Sequence, residues 1–208
     1  MLSEQKNLED LGEESFYFKN IPEGYSGEEE DPGKIVAVLL HIGAFLFPFL
    51  FTYTIFYSFL NLYHLDNTNI LLVSLPVSWF AADIASGIVH WLCDTYGSAT
   101  TPVFGPGFIR VFRLHHRFPK DICISPFVFT IGYVAVLSSL ILPVFIYLLL
   151  KIPDSSFIAF TSFTFAIVAF LTVLTNQFHK WAHSDSTYKW VRFLQKNKII
   201  LEPSHHKV

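Results

Sequence analysis

Charged residues are scarce in this sequence. Asp, Glu, Lys and Arg make up only 15% of the 208 residues, whereas 52% are hydrophobic and the mean hydropathy is +0.44. A soluble domain of this size is usually nearer one quarter charged. The composition therefore disfavours a soluble helical bundle, which remains the alternative, and favours a membrane protein. We expect no nucleic-acid partner.

Cysteine and nucleotide-binding signals are also lacking. Cys93 and Cys123 show no paired-ligand spacing, so we expect reduced thiols that do not bind metal. The chain has no internal repeat and no glycine-rich phosphate loop. Its acidic tail, residues 1–33, lacks the apolar stretch and basic start of a signal peptide. We predict that this tail is disordered and cytosolic.

The sequence does contain four long apolar runs. A transmembrane helix needs about 20 apolar residues, and the runs contain 29, 23, 24 and 19 residues. They extend from Ile35 to Tyr63, Ile70 to Leu92, Phe127 to Leu150 and Phe157 to Thr175. We therefore predict an all-α polytopic membrane protein with four transmembrane helices, formed by residues 34–208.

Lys and Arg residues fall almost entirely on one side of these spans. With four spans, the tail, the loop 93–126 and the segment from Asn176 onward share one side. That side holds thirteen of the fourteen Lys and Arg residues, and Lys151 alone lies on the other. The positive-inside rule places the basic side in the cytosol, so we predict that both termini are cytosolic.

Seven of the nine histidines fall on this same side. Histidine is scarce in hydrocarbon and is a good ligand for iron, zinc and copper. The hydropathy and charge arguments do not use the histidines, so their agreement independently supports one histidine-rich metal site on the cytosolic side. The candidate ligands are His90, His115, His116, His179, His183, His205 and His206.

Two acidic residues accompany His90 at the end of the second span. On a helix, Asp83, His90 and Asp94 lie on one stripe. A carboxylate within a span is costly and usually faces the bundle interior with a partner. Asp83 and Asp94 are therefore candidates to bind metal or to orient a ligating histidine. The alternative for Asp83 is a structural hydrogen bond to a neighbouring helix.

The fourth span ends with a histidine pair. His179 and His183 are four residues apart, so both imidazoles face one way and can chelate one ion. This spacing alone is a weak signal, because surface histidines often show it, but the other histidines on this side strengthen it. Asn176 lies one turn earlier on the same stripe, where it can bind metal, hold a water or orient a ligand.

A stripe of arginines follows the turn Gly105-Pro106-Gly107. Arg110, Arg113 and Arg117 are candidates to hold a lipid phosphate or to contact an acidic redox partner. Ordinary positive-inside charge with headgroup contact is the alternative.

Four motifs follow one another from about Trp79 to the end of the chain. They are Asp83-x-x-Ser86-Gly87-x-x-His90-Trp91-x-x-Asp94, Phe108-Ile109-Arg110-x-Phe112-Arg113-x-His115-His116-x-x-Pro119, Thr175-Asn176-Gln177-x-His179-Lys180-Trp181-x-His183, and Trp190-Val191-x-x-Leu194-Gln195 before His205-His206. Each motif is modest alone, but four in order are specific. The chain resembles the plasmanylethanolamine desaturase, or Kua-type lipid desaturase, family.

The resemblance implies an oxygen-dependent oxidoreductase that introduces a double bond into an alkyl or acyl chain of a membrane glycerophospholipid, with a plasmanylethanolamine-type substrate. It implies a di-iron site with two histidine-bound iron ions, and electrons from a protein such as cytochrome b5. We expect an endoplasmic reticulum membrane, with a plastid membrane as the alternative. Two other functions fit the same residues: a lipid hydroxylase on the same metal site, and a non-catalytic membrane protein that binds lipid or a partner.

The chain departs from the family pattern in two places. The family has a further histidine after the His115-His116-x-x-Pro119 motif, whereas residues 121–129 contain none. The family also continues its last motif as His-His-x-x-His-His, whereas this sequence stops at Val208. We therefore expect a truncated form with an incomplete set of ligands and poor activity.

Cysteine labelling tests the predicted topology. In sealed vesicles, we expect single cysteines at Lys34 and Lys180 to react with a membrane-impermeant maleimide from the cytosolic side. A cysteine at Lys151 should react from the opposite side, because that residue lies across the membrane. Labelling of Lys34 and Lys180 from opposite faces would contradict four spans with both termini on one side.

Overall fold

Four long helices make up most of the described protein. The structure, a computed structural model, describes residues 34–98, 101, 108–109, 112, 121–123, 125–184 and 188–205, and these contain helices but no strand. The long helices are α1 (Lys34–His64), α2 (Leu71–Thr95), α3 (Phe127–Lys151) and α4 (Ser156–His183). Each is long and apolar enough to cross a membrane. For the described residues, the prediction of an all-α protein with four helices able to span a membrane is confirmed.

Shorter helical elements flank these spans. A short helix, α5 (Lys189–Lys196), follows α4. One-turn 3₁₀ helices occupy Thr68–Ile70 before α2, Asp121–Cys123 before α3, and Pro203–His205 after α5. Short links join α1 to α2 and α3 to α4, so the two helices of each pair run in opposite directions. Gly43 and Asn61 of α1 lie against Val136 and Leu149 of α3, so these two helices run in the same direction. The C-terminal ends of α2 and α4 therefore lie at the same end.

Helix α4 is central to the packing. It packs against α1, α2 and α3, whereas α2 packs mainly against α4. Polar side chains bond to backbone carbonyls across two of these contacts. The Ser78 hydroxyl of α2 donates to the Thr164 carbonyl of α4 at 3.1 Å, and the Asn176 amide of α4 donates to the Thr130 carbonyl of α3 at 3.2 Å. These bonds hold α2 and α3 against α4.

Small residues allow the helices to approach one another closely. Ala159, Ser162 and Ala166 of α4 are completely buried. Where α1 meets α3, a Cβ added to Gly43 would lie 2.8 Å from the Cα of Val136. In lipid, helices associate through van der Waals packing and polar bonds, and small residues at the contacts permit both. The sequence therefore builds a tight bundle from alanine, serine and glycine at the helix contacts.

Large apolar side chains cover the outside of the bundle. Phe45, Leu140 and Phe157 are among many that are exposed on the four spans. A soluble protein rarely exposes so extensive an apolar surface. Hydrocarbon can cover these side chains at no cost, so the surface agrees with a membrane location.

We expect Gly43→Ala to lower the thermal stability of the purified protein. The new Cβ would meet backbone atoms of Val136, which cannot move as a side chain end can, and overpacking typically costs about 1–3 kcal/mol. Gly87→Ala is the matched control, because no described atom outside its own helix lies within 4 Å of that Cβ position. Equal melting temperatures for the two variants would contradict the close contact of α1 with α3.

Candidate functional site

A cavity of about 420 Å³ lies between α2, α4 and the residues after α5. Lys198–Glu202 form its third side and are called the wall segment below. The cavity residues from the two spans are Trp79, Ala82, Asp83, Ser86, Leu171, Thr175, Phe178 and His179. The cavity therefore brings Asp83 and His179, two residues predicted from the sequence, to one place.

The cavity changes from apolar to polar along its length. Along α2, Trp79 precedes Ser86 by about 10 Å, and along α4, Leu171 precedes His179 by about 12 Å. Since α2 and α4 run toward the same end of the bundle, Trp79 and Leu171 lie deeper in the span than Ser86 and His179. The arrangement suits a molecule with an apolar chain and a polar head.

Asp83 is the acidic residue in the middle of α2. Its side chain is exposed on the cavity and is not enclosed between helices. A carboxylate in contact with hydrocarbon is costly, so its position on a cavity favours contact with water or a ligand there. His179 lies on the same cavity. Asp83 can therefore contact water or a bound molecule in the cavity.

His179 and His183 lie one turn apart on α4. Their ring centroids are 5.0 Å apart and the ring planes differ by 51°. His179 lines the cavity, and His183 is the last residue of the helix. Two imidazoles at this spacing on one side of a helix can bind one metal ion.

His90 is paired with Asp94. The Nε2 atom of His90 is 3.2 Å from Oδ2 of Asp94, one turn later on α2, and each side chain is about one-third exposed (33% and 30%). The His90 ring also contacts Phe112 edge-on, with centroids 5.1 Å apart. A carboxylate bonded to one ring nitrogen fixes the tautomer and orientation of a histidine that binds metal through the other. This geometry suits Asp94 for the orienting role.

Asn176 bonds to α3 and does not line the cavity. Its Nδ2 donates to the Thr130 carbonyl, and Thr130 is itself buried. This bond gives Asn176 a function in helix packing. Although Asn176 lies on the same helical stripe as His179, its amide is not at the cavity.

Metal ligands do not converge within the described part of the chain. Among the described residues, no three His, Cys, Asp or Glu side chains are arranged to hold a metal ion. His205 is the last residue of the 3₁₀ turn Pro203–His205. The candidates outside the described residues are His115, His116, His206, Arg110, Arg113 and Arg117. The histidine-rich metal site therefore stays a prediction.

The segment before α3 is fastened to the end of α4. The Lys180 ammonium donates to the Ser125 carbonyl, and the Cys123 thiol donates to the Lys180 carbonyl at 3.7 Å. Ser125 belongs to the stretch 121–129, which contains no histidine, and its carbonyl accepts a hydrogen bond from a lysine. These contacts bring Cys123 and Ser125 beside the turn that carries His179 and His183.

The wall segment is the part of the site that no sequence motif identified. Ile199, Ile200 and Leu201 form a short apolar run after the basic helix α5. Such a run predicts burial but does not say against which helix. Lys198 has a left-handed backbone (φ 57°), which turns the chain back from α5 toward the cavity.

Comparison with known proteins agrees with these features. Residues 79–208 match the lipid desaturase domain family. The chain is 42% identical over 142 residues to plasmanylethanolamine desaturase of Myxococcus xanthus, a match that covers 68% of this chain and 49% of that protein. It is 34% identical over 158 residues to plasmanylethanolamine desaturase 1 of Mus musculus, which covers 71% and 58% respectively.

A plant relative extends the comparison. The chain is 33% identical over 133 residues to the chloroplastic fatty acid desaturase 4-like 1 of Arabidopsis thaliana, covering 61% of this chain and 42% of that protein. The chain thus spans about half the length of the curated relatives it matches. No solved structure matches it. Because the domain match covers more than half of the sequence and includes every residue that lines the cavity, the chain belongs to the lipid desaturase family.

Proposed function

We propose that this protein is an oxygen-dependent lipid desaturase that introduces a double bond into an alkyl or acyl chain of a membrane glycerophospholipid. The substrate proposed is a plasmanylethanolamine-type lipid, after the names of the bacterial and mouse relatives. One observation carries the proposal: the cavity between α2 and α4 joins an apolar end to a polar end at which Asp83 and His179 lie.

The lipid would lie along the cavity with its chain between α2 and α4. The volume of about 420 Å³ is within the usual range for ligand pockets, roughly 300–1,000 Å³. Trp79 and Leu171 offer apolar contact to the chain, and Lys198 offers a positive charge to a phosphate near the polar end. Arg110, Arg113 and Arg117 are proposed to add to that charge.

The proposal includes two iron ions. His179 and His183 fit one ion by the spacing of their rings, and His90, with Asp94 behind it, fits the role of an oriented ligand. The other proposed ligands are His115, His116, His205 and His206. When bound, the iron supplies the oxidising chemistry for an unactivated C–H bond, which side chains lack. The residues of the chain position the lipid and exclude water from the deep end of the cavity.

The proposed electron source is a carrier protein such as cytochrome b5, acting on the basic side of the membrane. We propose an endoplasmic reticulum location with both termini cytosolic. Thirteen of fourteen Lys and Arg residues on one side support this orientation. The name of the chloroplastic Arabidopsis relative supports a plastid membrane as the alternative.

The proposed lipid arrangement requires water at the polar end of the cavity. In a protein with Cys93 and Cys123 replaced by serine, we expect Asp83→Cys to react with a charged methanethiosulfonate reagent about tenfold faster than Phe80→Cys. The thiolate is the reacting form, and it does not persist in hydrocarbon. Phe80 is the matched control, since it is 67% exposed on the same helix but does not line the cavity. Equal rates would show that the Asp83 end is no wetter than the lipid face.

We expect His179→Ala to lower bound iron and lipid desaturation together, with desaturation falling about tenfold or more, because a lost ligand removes binding energy and geometry. The variants are expressed in cells lacking the native desaturase, where lipid mass spectrometry measures double bonds and metal analysis measures iron. His64→Ala is the control, because His64 is exposed at the other end of the bundle.

Unchanged activity in His179→Ala would reject this assignment. A wild-type protein that adds a hydroxyl group instead of a double bond would indicate the lipid hydroxylase. A wild-type protein that binds lipid without iron would indicate the non-catalytic alternative.

A further inference from the structure

Gln195 is a buried polar residue of α5 that lies outside the cavity. It is only 5% exposed. Its Nε2 atom donates to the Trp181 carbonyl at 3.2 Å and to the Leu201 carbonyl at 3.3 Å. Trp181 lies two residues after His179 on α4, and Leu201 belongs to the wall segment. One amide therefore links the helix that carries His179 to the segment that closes the cavity.

Both acceptors need a donor from outside their own element. Trp181 is within the last four residues of α4, whose carbonyls have no partner inside the helix. Leu201 lies between α5 and the 3₁₀ turn Pro203–His205, outside any helix. A glutamine amide has two N–H donors, and at Gln195 the two carbonyls account for both. The amide is thus matched in number and position to these two carbonyls.

The wall segment is also joined to α5 at its start. The backbone N–H groups of Lys198 and Ile199 donate to carbonyls at the end of α5, at 2.9 and 3.0 Å. Helix α5 itself is fixed by Val191, which is completely buried, and by edge-on contact of Trp190 with Trp181. After Ile199, the Gln195 bond to Leu201 joins the far half of the segment to α5.

We propose that Gln195 is a positioning residue that sets the distance of the wall segment from α2 and α4, and thereby how a lipid chain lies against His179. Ile199, Ile200 and Leu201 present the apolar surface of the third side, so their placement limits the width of the slot. Loss of the Gln195 hydrogen bonds lets the wall segment move outward and leaves the lipid chain less constrained. The identity of the ligand rests on the proposed function, whereas the link itself rests on the two hydrogen bonds.

The test compares Gln195→Leu with Asn197→Leu in the full chain. Gln195→Leu keeps similar size and removes both donors. Asn197 is a matched control, because its amide also donates to a backbone carbonyl, that of Phe193 at 2.8 Å, but this bond is exposed and lies within the α5 region alone. Gln195→Glu, which keeps the shape and lacks the NH₂ group, repeats the test if the leucine variant folds poorly. Unchanged exchange in α3 establishes that each variant is folded.

The first readout is hydrogen exchange of the backbone at residues 199–202, which needs neither metal nor turnover. We expect exchange about tenfold faster in Gln195→Leu and unchanged in Asn197→Leu, because local opening follows the bonds that hold a segment. The second readout is the affinity of delipidated protein for a phosphatidylethanolamine with a hexadecyl ether chain. We expect a loss of about tenfold in Gln195→Leu at constant iron content, and KM raised with kcat within about twofold.

The outcomes separate this inference from the proposed function. Unchanged exchange in Gln195→Leu would overturn it, as would faster exchange with unchanged lipid affinity. Failure of the wild-type protein to bind the lipid would overturn it as well. If the wild-type protein binds the lipid but forms no double bond, and the variant loses lipid affinity, the proposed function fails while the role of Gln195 stands.

Discussion

The packing of α4 against the other three spans is the contact on which the rest of the structure depends. In lipid there is no hydrophobic gain from bringing helices together, so association needs close van der Waals contact and a few polar bonds. The buried Ala159, Ser162 and Ala166 provide that contact. The hydrogen bonds of Ser78 and Asn176 fasten α2 and α3 to α4. Without this packing, α2 and α4 would not form the two long sides of the cavity.

The apolar and the polar residues of the site lie at different depths in the span. The deep part of the cavity is lined by largely apolar side chains such as Trp79 and Leu171. The groups with chemistry, His179, His183 and the His90–Asp94 pair, lie toward the helix ends, where water and headgroups can solvate them. Asp83 lies between these zones. Its carboxylate would be costly in hydrocarbon, so it requires the water or polar ligand that the cavity can admit.

Length and hydropathy were sufficient to predict the four spans, because the physical requirement on a membrane helix is local; the run from Phe127 to Leu150 became α3, Phe127–Lys151. Helical periodicity likewise predicted that His179 and His183 would be neighbours. Periodicity did not predict that Asn176 bonds to α3, because it shows which residues share a face of a helix but not which helix packs against that face. The wall segment was missed for a similar reason: its contact with α2 and α4 joins residues far apart in sequence.

The attachment of Cys123 and Ser125 to Lys180 has a consequence for the long connection between α2 and α3. That connection leaves from α2 just after the His90–Asp94 pair and returns beside His179, so both of its ends are held near the candidate ligands. An insertion or deletion between these two ends would leave both attachments in place, and the general cost of chain closure grows only as the logarithm of length, about 0.6 kcal/mol per doubling.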